Sequence, residues 1–536
     1  MDSMEELFRR LEQLNEIGAA LSSEREIGRL LEKILLAAKT ITQADGGTLY
    51  RVTEDRHALR FEIVHNDTLG IALGGTSGTA IDFPDLPLMT PRGEPNNSLV
   101  AVCAALNGKT INIADAHSEA GFDFSGTRDF DAHTGYRSQS FLTVPMKNHE
   151  GEIIGVLQLI NSKHPETGQI QQFPLAAQHL AESLASQAAI ALTNRQLITQ
   201  LEELFESFIG LINLAIDEKS PYTGGHCQRV PTLTMMIAEA VNATGEGALA
   251  GFSMSEAELY ELKIAGLLHD CGKVTTPVHV VDKATKLQTI YDRIGLIDTR
   301  CEVLKRDVQI AALRKLLELR NQVDPAAEAA CWERCRRELV VLDDEREFLH
   351  RCNVGCESMS PEDLQRVRDI GTGRTWRNPA GVDADFLTAD EIENLTIRSG
   401  TLTAGEREII NHHIVATIRM LEALPWPRHL RNVPEFAGGH HERMDGQGYP
   451  RGLTREQMSL QARMMAIADI FEALTARDRP YKRGMKLSQA LEIMQKFASN
   501  GHIDTDLFEI FMRQGVYRRY AEDFLDPDQV DLGPRE

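Results

Sequence analysis

Two adjacent histidines, His440 and His441, are followed by Glu442, Asp445 and the turn-forming run Gly446-Gln447-Gly448-Tyr449-Pro450. Imidazole nitrogens and carboxylate oxygens at a sharp backbone turn are donors suited to a hard or borderline divalent cation. The same donor types recur upstream in Tyr222-Thr223-Gly224-Gly225-His226, His269-Asp270-Cys271-Gly272-Lys273 and His412-His413, and downstream in Ala468-Asp469. Metal-ion chemistry is what these groups share. Gly272 and Lys273 add a tight turn and a cation for a phosphate.

Helices must carry most of these groups. Ser255 and Glu258 have the spacing of a capping box and start a helix bearing Leu259, Leu262, Leu267 and Leu268 toward His269-Asp270. A charged Asp270 beside that Leu-rich face is costly unless it is paired or binds a metal. Thr403 and Glu406 cap a second helix, whose apolar face is Ile409, Ile410, Ile414, Ile418 and Leu421. His413 falls on that face, whereas His412 lies about 100° away, so His413 is the ligand and His412 a surface residue. In a third helix Leu460, Met464, Ile467, Phe471 and Leu474 form one stripe, and Asp469 points elsewhere, toward Ala462, Ala466 and Ala473. A carboxylate in so apolar a helix needs a cationic partner, and a metal ion is the expected one.

From about Asp217 to the C-terminus, apart from one insertion, these motifs resemble the HD-GYP phosphodiesterases, a branch of the HD phosphohydrolases. The resemblance implies an all-α domain over 217–536 and the ligand set His226, His269, Asp270, His413, His440, His441 and Asp469. It makes His269, Asp270 and Lys273 the catalytic group, with Asp270 bridging two ions and Lys273 on phosphate. Five histidines and two carboxylates without a thiolate favour iron or manganese over zinc. Two divalent ions per chain are expected, because Tyr222 stands where some members use a Glu to help hold a third. Two ions flanking one water would lower its pKa toward ~7 and stabilise charge on the attacking and leaving oxygens. The Gly448-Tyr449-Pro450 loop matches enzymes that cleave cyclic di-GMP to linear pGpG, and in some members on to GMP. Substrate contacts are then expected from Lys273, Asp445, Gly448, Tyr449, Pro450, Arg479 and Lys482. The run Arg479-Pro480-Tyr481-Lys482-Arg483 offers guanidinium, aromatic and ammonium groups for phosphate or guanine. Another cyclic dinucleotide such as cyclic GMP-AMP, or a receptor that binds without hydrolysis, are the alternatives.

The N-terminal half reads differently. A helix is predicted within residues 1–22, from helical apolar spacing over Met4 to Leu21. Residues 23–194 mix a helix (Leu30 to Ile41), strands at Gly47–Val52, Leu59–Val64, Ser140–Val144 and Ile153–Ile160, and a closing helix from Leu175, an α+β pattern. With Phe122, Phe124, Phe130, Tyr136 and Leu142-Thr143-Val144-Pro145-Met146, this segment resembles a GAF domain, most nearly those of cyclic-nucleotide phosphodiesterases. Asn161-Ser162-Lys163 and Phe173 match part of the signature of those modules, but its Asp-Glu pair is absent from Pro174-Leu175-Ala176-Ala177. The aromatic residues either pack a core and dimer scaffold or line a small-molecule sensor whose ligand is unknown. Between Leu184 and Ile216, the residues Ile190, Leu197, Leu201, Leu204, Phe208 and Leu211 form a coiled-coil-like seam, with 195–216 as a signalling lever in a homodimer.

Composition bounds the rest. A chain of 536 residues implies two to four domains, and a net charge of −22 excludes a general binder of nucleic-acid polymers or anionic membranes. No run of about 18 apolar residues exists and the N-terminus is charged, so a cytoplasmic protein without a membrane span is expected. Eight scattered cysteines, including Cys331/Cys335 and Cys352/Cys356, read as free thiols rather than a zinc site. An insertion over 287–400 reads as an antiparallel helical hairpin with a dimer or spacer role, since His269 and His413 must still meet. Contacts with a diguanylate cyclase or another signalling protein complete the expected partners.

Overall fold

A computed structural model of the protein describes residues 17–18, 20, 24, 26–219, 225–319, 324–355, 358–476 and 484–533. Most of the helix predicted over Met4 to Leu21 lies outside these residues, as do Tyr222, Cys356, Arg479 and Lys482. The chain divides into two compact units, Met1–Leu204 and Phe205–Glu536. Among the described residues no helix is long and apolar enough to cross a membrane.

The first unit is built on one antiparallel sheet. Its strands are β1 (Ala44–Val52), β2 (Ala58–Asn66), β3 (Ile71–Gly74), β4 (Leu86–Pro87), β5 (Ile111–Ile113), β6 (Phe141–Lys147), β7 (Ile153–Lys163) and β8 (Ile170–Gln171). Their order is β3-β2-β1-β7-β6-β5, with β4 paired to β2 and β8 to β7. Successive side chains of a strand point to opposite faces, so Leu49 and Tyr50 of β1 enter different clusters. Leu49 packs with Leu30, Leu31, Ile34, Leu35 and Ala38, the 3–4-spaced face of helix α1 (Ile27–Thr42). Tyr50 joins Ala101, Val102 and Ala105 of α2 (Val100–Asn107), and α3 (Ser125–Thr134) follows. Phe122 and Phe124 pack near Phe141, whereas Phe130 is exposed. Lys163 and Tyr136 both reach the buried carboxylate of Asp45, Tyr136 Oη donating at 2.6 Å, so the signature lysine finds its partner at the head of β1.

Helix α4 runs unbroken over Leu175–Lys219 for 45 residues, so the expected closing helix and lever are one element. Ala181, Leu184, Ala185, Ala188 and Leu192 are buried in the first unit's core, while Ile190, Leu197, Leu201, Leu204, Phe208 and Leu211 are exposed.

The second unit is helical: α5 (His226–Asn242), α6 (Glu256–Leu268), a 3-10 turn over Cys271–Thr275, then α7 (Val278–Val281). The insertion follows as α8 (Ile294–Leu319), α9 (Pro325–Asn353), α10 (Pro361–Gly373) and α11 (Ala389–Leu395). Helices α8 and α9 are antiparallel, since Cys331 Sγ meets the Ala312 carbonyl while Lys305 pairs with Asp343. A short hairpin of Thr375–Arg377 with Asp383–Asp385, which the sequence reading lacked, completes it. The insertion has its own core of Leu287, Ile297, Phe348, Leu349, Val367 and Phe386. Its ends close on each other, with Thr401 Oγ1 donating to the Lys283 carbonyl at 2.9 Å and buried Lys283 Nζ paired with Glu406 at 2.7 Å. Among the described residues, Cys331 and Cys335 belong to no group of metal-ligand spacing.

The remaining helices are α12 (Ala404–Glu422), α13 (Val433–Gly438), α14 (Leu460–Thr475), α15 (Leu487–Ser499), α16 (Thr505–Arg513) and α17 (Val516–Phe524). Both predicted capping boxes form, Ser255–Glu258 on α6 and Thr403–Glu406 on α12. Gly272 lets the 3-10 turn lie against α12: a Cβ there would sit 2.0 Å from the His413 carbonyl oxygen and 2.5 Å from Thr417 N. Gly272→Ala is therefore expected to cost about 1–3 kcal/mol through overpacking, read as a lower urea midpoint. Gly405→Ala, where a Cβ meets nothing within 4 Å, is the control and should not lower it.

Candidate metal centre

Six ligand atoms gather in two groups of three, His226/His269/Asp270 and His413/His440/His441, each within 4.8 Å of one another. They come from the start of α5, the end of α6, the middle of α12 and the turn after α13. Asp270 connects the two. Its Oδ2 lies 3.0 Å from His226 Nε2 and 3.1 Å from His269 Nε2, and its Oδ1 lies 3.2 Å from His413 Nε2. His413 Nε2 is 3.2 Å from His441 Nε2, and Asp469 Oδ1 is 3.4 Å from His226 Nε2. His412 is exposed and His413 buried, as the helical period requires.

Backbone carbonyls fix three of these rings. Nδ1 of His269, His413 and His440 faces the carbonyl three residues earlier, Gly266, Ile410 and Ala437, at 2.7, 2.5 and 2.6 Å. A ring donating its Nδ1–H in this way presents the lone pair of Nε2. Two buried acceptors then stand without a hydrogen-bond donor, His440 Nε2 and Asp270 Oδ1. A buried acceptor without a donor is what a bound cation satisfies, so the donor set fits divalent metal.

The electrostatics favour neutral, ligating imidazoles at His440 and His441 but not at His226. Burial pushes the His440 imidazole down to about 4, with His269 adding to the effect. Burial also holds His441 well below its ordinary value. Burial would raise the Asp270 carboxyl, but Lys273, whose Nζ donates to Oδ2 at 2.5 Å, and His269 hold it well below the usual carboxylate range. Asp469 is likewise held low against its burial, by His226 first. Burial alone would lower His226, yet the carboxylates of Glu472, Asp270 and Asp469 raise it well above its ordinary value. The Cys271 thiol is pushed up to about 11 by burial, so it stays protonated.

The Gly-Tyr-Pro loop returns over the site. Buried Glu442 accepts from the backbone N–H of Arg451 at 2.7 Å and of Leu453 at 2.9 Å, closing the loop at its base. A Cβ at Gly448 would lie 2.4 Å from Glu442 Cα and Arg443 N, so only glycine fits. Tyr449 stacks on His441 with ring centroids 4.8 Å apart. The Asp445 carboxylate is used within the loop, accepting from Arg443 Nη2 at 2.6 Å and from Gln447 N at 3.0 Å. Sequence reasoning missed Glu472 and took Glu442 only as one more carboxylate of the motif; each is a buried glutamate whose partners, a distant helix or backbone amides, leave no local spacing to read.

Comparison with known proteins bears on this geometry. Residues 26–192 match the GAF domain family model, and 223–338 and 388–507 match two HD domain models. The chain joins a GAF domain to an HD domain. The first HD match reaches into the insertion as far as residue 338 and the second begins at 388, near its end; the first contains His226, His269 and Asp270 and the second His413, His440 and His441. A cyclic di-GMP phosphodiesterase of Pseudomonas aeruginosa is 40% identical over 121 residues, 22% of this chain and 28% of that protein. The 3'3'-cGAMP-specific phosphodiesterase 1 of Vibrio cholerae is 47% identical over 81 residues, 15% of this chain and 19% of that protein. A cyclic di-GMP phosphodiesterase of Thermotoga maritima is 32% identical over 136 residues, 24% of this chain and 36% of that protein. The chain thus spans about a fifth to just over a third of the length of these relatives.

The adjacent pair His412 and His413, one exposed and one buried, allows a direct test of the candidate centre. His413→Ala is expected to lose metal, counted per chain by elemental analysis after Mn(II) loading and desalting, while His412→Ala retains the wild-type content.

Proposed function

We propose that the HD domain is an HD-GYP phosphodiesterase hydrolysing cyclic di-GMP to pGpG or GMP with two divalent ions, iron or manganese. The observation that carries this reading is Asp270, whose two oxygens face two separate groups of ligating side chains. When bound, such ions supply an activated water and charge stabilisation for phosphodiester cleavage. His226, His269, Asp270 and Asp469 would hold one, and His413, His440 and His441, with the second oxygen of Asp270, the other. Lys273 brings an ammonium to the centre, suited to a non-bridging phosphate oxygen. Tyr449, stacked on His441, offers an aromatic edge at the rim beside Gly448 and Pro450. Arg479 and Lys482 stay in the proposal as phosphate or guanine contacts. Cyclic GMP-AMP is the second reading, favoured by the 47% identity to an enzyme named for it.

The GAF domain is read as the regulator, taking a small molecule. Exposed Ile190, Leu197, Leu204 and Leu211 recur every seven residues on α4, with Leu201 and Phe208 between them. That spacing is a coiled-coil seam, and a second copy of the chain supplies the matching one. Leu204→Glu is expected to convert a dimer to a monomer in light scattering; an unchanged mass removes the seam from the account.

Turnover tests the main proposal. Protein purified without oxygen and loaded with Fe(II) or Mn(II) should convert cyclic di-GMP to pGpG or GMP, and Asp270→Ala should not. Conversion of cyclic GMP-AMP alone would select the second reading. Full metal occupancy with tight binding and no product from either would indicate a receptor.

A further inference from the structure

His226 is oriented differently from His269, His413 and His440. It is the first residue of α5, and its Nδ1 faces a side chain, Glu472 Oε2, at 2.6 Å. The other oxygen, Glu472 Oε1, accepts from Arg229 Nε at 2.9 Å and pairs with Nη2 at 2.7 Å. Arg229 follows His226 by three residues on α5, and Glu472 follows Asp469 by three on α14, so each helix places its two groups on one face. The Glu472 side chain is 1% exposed and that of Arg229 is 16% exposed.

We propose that Glu472 is the positioning residue of the centre: it accepts the Nδ1–H of His226, turns Nε2 toward Asp270 and Asp469, and is itself locked by Arg229. This rests on the metal reading above. A carboxylate behind a ligating histidine fixes its tautomer and raises its basicity. It also ties α5 to α14, so the two helices deliver His226 and Asp469 in one geometry. The competing role is a buried ion pair that only staples the helices, which needs nothing from His226.

Two double variants of the full chain separate these roles. Glu472→Leu with Arg229→Leu replaces the ion pair by apolar groups, a change proteins often tolerate, and leaves Nδ1 without an acceptor. Glu472→Gln with Arg229→Leu removes the ion pair but keeps an oxygen that can accept Nδ1–H. Calorimetric titration of the metal-free proteins with Mn(II) is expected to show a loss of about 10–100-fold in affinity for the first. The second should hold affinity within about threefold of wild type, a bound set well inside that loss. Wild-type affinity in the Leu/Leu protein overturns the proposal. So does a loss of about 10–100-fold in the Gln/Leu protein, a result that stands whether or not the Leu/Leu protein folds. No nucleotide enters the experiment, so a wrong substrate leaves it untouched; failure of the wild type to bind Mn(II) would instead strike the metal reading.

Discussion

Burial of one carboxylate constrains the whole HD domain. Asp270 is 2% exposed, and an ion of that size removed from water costs several kcal/mol unless its charge is met on all sides. Its Oδ2 is met by Lys273, His226 and His269, whereas its Oδ1 lies near the His413 ring and has no hydrogen bond among the described residues. Helices α5, α6 and α12 must therefore converge on this residue, and α14 brings Asp469 to the same place. Gly272 follows from the same demand, because the turn carrying Asp270 can touch the α12 backbone only without a side chain.

Around that carboxylate four of the five histidines, His226, His269, His413 and His440, are held from behind rather than from the front. Three use backbone carbonyls of their own chain turn, so ring orientation is set as soon as the local helix or turn forms. His226 lacks that local support and draws it from α14. Its geometry thus depends on tertiary packing, whereas the other three are prepared locally. Glu442 does the same for the loop, its carboxylate standing in for a missing strand partner at Arg451 and Leu453.

Much of this was legible in the sequence because it depends on period and capping. Helical spacing alone turned His413 inward and His412 outward, and the capping boxes at Ser255 and Thr403 form where their spacing placed them. Four of the eight strands of the GAF domain, β1, β2, β6 and β7, were found from their apolar cores, although β1 and β7 extend further into polar ends such as Asp45 and Ser162. Strands β3, β4, β5 and β8 are at most four residues long and gave no pattern to read. What stayed hidden depends on contacts far apart in the chain. Glu472 is 246 positions from His226, and Asp45 is 118 from Lys163. The bonds that Asp445 accepts from Arg443 and Gln447 within its own turn are not legible from residue type either. The hairpin of Thr375–Arg377 with Asp383–Asp385 is too short and too polar for alternation to reveal.

The central claim is that Asp270 joins two ion sites in one buried centre. Anomalous diffraction from crystals of manganese-loaded protein tests it most directly. Two peaks per chain are predicted, one within bonding distance of His226, His269 and Asp270, the other of His413, His440, His441 and Asp270. A single peak, or two peaks of which only one touches Asp270, would contradict the account.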